Sequence, residues 1–86
     1  MKLEMIRILY FSWIREGVGT SEEKLETKSE NVIELINELK LKNEKYNSVF
    51  AKLDNIRVAV DQKLVNFETS IKNAEEVAFF PPMTGG

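Results

Sequence analysis

The chain closes on Phe79-Phe80-Pro81-Pro82-Met83-Thr84-Gly85-Gly86, where its residue types point most clearly to chemistry. Phe80 to Met83 place apolar side chains in a stretch without charge, where a solvated tail would carry Lys, Glu or Ser. Pro81 and Pro82 hold the backbone extended and reduce the entropy lost on entering a groove. Gly85 and Gly86 strip the last positions of side chains, so the backbone can thread a narrow channel. The reactive group is then the α-carboxylate of Gly86. Ionised at neutral pH, it is a poor electrophile and needs a leaving group before it can react. Gly-Gly alone also fits an ordinary frayed terminus.

Composition excludes most other chemistry. The 86 residues include no cysteine and no histidine. That removes disulfides, zinc knuckles, redox CxxC pairs, Cys–His dyads and the Ser–His–Asp triad. Glu22, Glu23, Glu26 and Glu30 are interleaved with Lys24 and Lys28, which predicts a solvated, salt-bridged face rather than a metal site. Glu68, Glu75 and Glu76 lie in or beside a polar connection, with no apolar pocket to tune a catalytic pair. Gly17-Val18-Gly19-Thr20 lacks the lysine of a P-loop and the third glycine of a dinucleotide fingerprint, and reads as a hairpin turn. With 12 Lys+Arg against 14 Asp+Glu and a net charge of -2, there is no basic stripe for nucleic acid. No apolar run approaches the ~20 residues of a membrane span. Glu4 and Arg7 interrupt the stretch a signal peptide would need. A cytoplasmic domain with neither nucleic acid nor membrane as partner is expected.

The elements that position the tail follow from periodicity. Residues 5–13, MIRILYFSW, read as a central strand buried on both faces apart from Arg7, with Trp13 and Ile14 in the core. A turn at 16–20 leads to an alternating strand at 24–28, making an antiparallel hairpin. Val32, Leu35, Ile36 and Leu39 form one helical stripe, and Asn31 with Glu34 resembles a capping box. A short second helix is expected at about 45–52, with Tyr46, Val49 and Phe50 inward. Strands follow at 56–60, 64–67 and 77–80, the first two joined by a turn at Asp61-Gln62-Lys63 and the last stopped by Pro81 and Pro82. This is an α+β plan with the main helix on one sheet face. The domain is expected over 1–80, with an extended tail at 81–86. At this length apolar gain and ordering cost nearly cancel, so any apolar residue outside the core calls for a partner.

MIRILYFSWIREGVGT, AVDQKLVNF and EVAFFPPMTGG, in that order and spacing, resemble the MoaD family of molybdopterin synthase small subunits. The resemblance runs from about Met5 to Gly86, and FFPPMTGG is its most specific part. It implies a ubiquitin-like β-grasp with a mixed sheet, and a sulfur carrier that is not an enzyme alone and binds no cofactor. It also implies that a ubiquitin-activating-like adenylyltransferase uses ATP to adenylate Gly86, and that a sulfur donor converts the adenylate to a thiocarboxylate. The tail, Pro81, Pro82, Met83, Thr84 and Gly85 included, would then carry the sulfur into the large subunit of a heterotetramer, where cyclic pyranopterin monophosphate becomes the molybdopterin dithiolene. Phe11, Leu64 and Phe80 match apolar docking positions, and Arg15 matches an arginine near them; core packing is the plainer role for the three apolar residues. Asp61 replaces a common Asn. Ala74-Glu75 replaces a common Gly-Asp, leaving Asn73 to supply a left-handed turn. The first four residues precede the usual start. A carrier for thiamine or cysteine synthesis, or a ubiquitin-like modifier joined through Gly86, are the alternatives.

Overall fold

The computed structural model describes residues 4–82, with side chains from Met5 onward. Strand β1 spans Glu4–Tyr10 and is followed by helix α1, Ser12–Val18, and strand β2, Glu22–Thr27. Helices α2, Val32–Lys40, and α3, Glu44–Val49, come next, then a single 3₁₀ turn at Leu53–Asn55. The chain ends in β3, Arg57–Val60, β4, Lys63–Val65, and β5, Glu76–Phe80. One five-stranded sheet has the order β2-β1-β5-β3-β4. β1 and β5 are parallel and the other pairs antiparallel. This mixed sheet, with helices on one face, is the β-grasp plan the resemblance implies.

Helix α2 forms where its stripe is. Val32, Leu35, Ile36 and Leu39 are all buried. The Asn31 side chain accepts from the Glu34 amide at 2.9 Å, satisfying one of the donors left free at a helix start. Glu34 answers by accepting from the Glu30 amide, one residue earlier than a capping box would have it. Asn43 caps α3 in the same manner, accepting from the amides of Lys45 and Tyr46. Under these helices lie Ile6, Ile8 and Tyr10 of β1, Val58 of β3, and Val77 and Phe79 of β5.

Five expectations need correction. β1 stops at Tyr10 rather than Trp13, because Phe11 turns the chain into α1. The glycines therefore serve a helix, not a hairpin turn. Gly17 lets α1 approach α3, and Gly19, at φ 97°, ends α1 in the left-handed conformation with its amide bonded to the Arg15 carbonyl at 2.8 Å. β1 is buried on one face only: Ile6, Ile8 and Tyr10 point inward, while Met5 and Arg7 are exposed and Leu9 half-buried. Ile14 is core, but Trp13 is not. Glu76 belongs to β5 and is buried.

Smaller differences concern ends. The second helix stops at Val49, and β4 covers 63–65 instead of 64–67. Asp61 and Gln62, at φ 49° and 72°, form the two-residue hairpin loop between β3 and β4, a geometry that the right-handed strand twist favours. Asn73, at φ 66°, does take the left-handed turn expected of it.

Candidate functional site

The uncovered face of the sheet carries the candidate residues. In register across it lie Leu9 of β1, Ala78 of β5, Ala59 of β3 and Leu64 of β4. The two alanines make a low floor, and Leu9, Phe11, Phe80, Pro81 and Pro82 join them around a groove of about 600 Å³. Phe11 is 46% exposed and Leu64 70%, so neither is a core residue. Phe80 is half-buried on the same face, next to its register partner Arg57. A charged rim closes the side: Glu22, Lys24 and Glu26 of β2 stand opposite Leu9, Arg7 and Met5.

The topology brings this surface to the root of the tail. Because β1 and β5 are parallel, both reach their C-terminal ends at one edge of the sheet. There the Phe11 amide donates to the Phe79 carbonyl at 3.1 Å. β1 turns into α1 at that point, while β5 runs on into Pro81 and Pro82. Arg15 is exposed on α1, one helical turn from Phe11, and makes no ion pair among the described residues. Thus Phe11, Phe80, Pro81 and Pro82 come together, with Leu64 at the far side of the alanine floor. Met83, Thr84, Gly85 and Gly86 lie outside the described residues.

Nothing in the sequence singles out Leu9, Ala59 or Ala78. The nearly continuous apolar run places Leu9 inside a two-sided strand. Small residues signal nothing alone, and their alignment depends on the register of three strands.

The titratable groups serve structure. Arg7 and Glu76 pair at 2.7 Å at the end of the open face remote from the tail. The bond to Glu76 raises the Arg7 pKa. The acidic run is divided between the faces of β2. Glu22 and Glu26 join the rim, whereas Glu23 lies under the helices and accepts from Tyr46 at 2.6 Å, Tyr10 at 2.7 Å and Lys42 at 3.2 Å. Burial works to raise the Glu23 pKa, but the hydrogen bonds from Tyr46, Tyr10 and Lys42 outweigh it and hold the carboxyl below its ordinary value. Burial followed by the bond to Glu23 pushes Tyr46 up to about 12, and raises Tyr10 as well. Among the described residues no cluster could hold a metal ion, and no helix is long and apolar enough to cross a membrane.

The ThiS family matches residues 8–86. The chain is 34% identical over 82 residues to the molybdopterin synthase sulfur carrier subunit of Haemophilus influenzae, covering 95% of this chain and 100% of that protein. It is 33% identical, with the same coverage, to the molybdopterin synthase sulfur carrier subunit of Escherichia coli K12. Its fold superimposes on the solution structure of the small archaeal modifier protein 1 from Methanosarcina acetivorans with a TM-score of 0.74, at 25% identity over the full length of both chains.

Proposed function

Because the chain belongs to the ThiS family, we propose that it is the sulfur-carrying small subunit of a molybdopterin synthase. The observation that carries this reading is the apolar face at the tail root, where Phe11, Phe80, Pro81 and Pro82 meet around the alanine floor. Relatives one-third identical over their whole length carry the name of that subunit.

The chemistry begins at the Gly86 carboxylate. A ubiquitin-activating-like enzyme transfers the adenylyl group of ATP to one carboxylate oxygen and releases pyrophosphate. Sulfur from a donor then attacks the acyl carbon, and AMP leaves with that oxygen, so one sulfur replaces one oxygen. The large subunit takes the tail, and the thiocarboxylate gives its sulfur to cyclic pyranopterin monophosphate. The chain supplies no acid, base or nucleophile from a side chain. Residues 1–80 dock and residues 81–86 deliver, with Phe11, Leu64 and Phe80 as apolar contacts and Arg15 beside them. A bulky side chain at Gly85 or Gly86 would obstruct both partners' channels.

The test is intact mass after incubation with the activating enzyme, ATP and a sulfide source. Exchange of one oxygen for one sulfur, lost again in the presence of large subunit and pterin substrate, is expected. An unaltered mass would overturn the reading. The likeness to a small archaeal modifier favours a second one, attachment through Gly86 to lysines of other proteins. High-mass conjugates in cell extract that vanish on deletion of Gly86 would establish it.

A further inference from the structure

Two arginines stand on the open face, and the fold treats them differently. Arg7, remote from the tail, is neutralised by Glu76. Arg57, directly opposite Phe80 in the β3–β5 ladder, is exposed and has no carboxylate partner among the described residues. It is nevertheless held in place. Its Nη1 donates to the carbonyl oxygens of Asp54 at 3.1 Å and Ile56 at 3.0 Å. A guanidinium has five N–H donors in a rigid plane. Spending Nη1 on the backbone leaves the Nε–Nη2 edge, one of the two edges that grip a carboxylate through parallel bonds. Arg57 also lines a recess with Leu64, Val65, Asn66 and Phe67.

We propose that Arg57 anchors the tail-side margin of the docking face by taking a carboxylate of the large subunit on its Nε–Nη2 edge. This rests on the docking reading above and adds a residue and a partner chemistry to it. The length of the tail fixes the footprint. Four residues follow Pro82, and fully extended they span at most about 14 Å. Any site that reacts at Gly86 therefore stands within that distance of Pro82, and the protein enclosing it must cover the tail root. Phe80 is the last residue of β5, and Arg57 is its cross-strand neighbour, so both lie under that cover. The activating enzyme also reaches Gly86, but its encounter ends with each loading. A standing subunit interface is larger and drier, and a fork-held carboxylate contributes most where water is excluded.

The experiment uses the full chain with Arg57→Gln, Arg57→Lys and Phe80→Ala. Binding to the cognate large subunit is measured by calorimetry at low and moderate salt, loading by mass spectrometry with the activating enzyme, and folding by thermal melting. Arg57→Gln is expected to weaken binding about tenfold and to flatten its salt dependence. Loading should stay within about twofold, and melting within about two degrees. Arg57→Lys should recover only part of the loss, since an ammonium keeps the charge without the fork. Unchanged binding by Arg57→Gln, with Phe80→Ala weakened, overturns this inference alone. Unchanged binding by both overturns the docking reading. Slowed loading with unchanged large-subunit binding assigns Arg57 to the activating enzyme instead and overturns the proposal. A large fall in melting with both Arg57 variants makes its role the fastening of the Asp54–Ile56 turn, and also overturns the proposal.

Discussion

At Gly17 an added Cβ would stand 2.4 Å from Cγ2 of Val49, a buried residue of α3. A side chain there must force the helices apart, so Gly17→Ala is expected to destabilise the fold by about 1–3 kcal/mol. Denaturant unfolding measures this, and Val49→Ala in the same chain should restore part of the loss. The Glu23 cluster gives a second prediction at this scale. Glu23 titrates below its ordinary value of 4.5 when folded, so its contribution is complete above about that pH and is lost as pH falls through the folded value. The tyrosines run the opposite way. Their contribution is complete below their ordinary value of 10 and is lost as pH rises through the raised folded values, about 12 for Tyr46. Unfolding free energy should thus fall away on both sides of a neutral plateau. Glu23→Gln should flatten the acid limb and only reduce the alkaline one, because burial of the tyrosines persists; an unchanged acid limb would mean that Glu23 contributes nothing. Residue type alone singles out Pro81 and Pro82, whereas Phe11 and Leu64 are picked out only by the family resemblance, the strand pattern placing Phe11 in a buried strand and the structure exposing it. The site was not legible at Ala59, Ala78 and Arg57, whose roles come from strand register and from carbonyls brought near by folding.

Among the elements, α2 was readable because its four apolar positions, its Asn31 cap and its charged outer face agree with one another. α1 was not, although Ile14 and Val18 are four apart and Gly19 follows them. Ile6 to Ile14 is rich in residues that favour strands, and that local preference hides the change of period. The deciding facts are tertiary: the β1–β5 ladder ends at the pair Tyr10 and Phe79, and α1 can lie against α3 only because Gly17 has no side chain. The β3–β4 loop supports a prediction at this scale. Oδ1 of Asp61 accepts from the amides of Glu75 and Glu76, both at 3.0 Å, and its own amide donates to the Glu76 carbonyl at 2.9 Å. The loop thereby fastens the entry to β5. Asp61→Asn keeps an acceptor and tolerates the left-handed backbone, and is expected to be nearly neutral. Asp61→Ala keeps neither advantage and should cost about 1–3 kcal/mol, read from the urea midpoint at constant slope.

For the molecule as a whole, the core and the candidate docking face lie on opposite sides of one sheet. Changes to the open face should therefore separate binding from stability. Leu64→Ala is expected to leave the melting temperature within about two degrees, because Leu64 is 70% exposed, while weakening association with the large subunit several-fold. Deletion of Gly86 should abolish sulfur transfer without lowering the melting temperature; a fall of many degrees would make the tail a structural element. The strand order has a mechanical consequence as well. The tail continues β5, the middle strand of five, which is hydrogen-bonded to β1 on one side and β3 on the other. Tension applied at the C-terminus therefore loads two ladders along their length, in shear, and both must give way together. A strand at the sheet margin would let one ladder unzip bond by bond. The tail is thus a handle by which the molecule can be gripped and withdrawn without being unravelled.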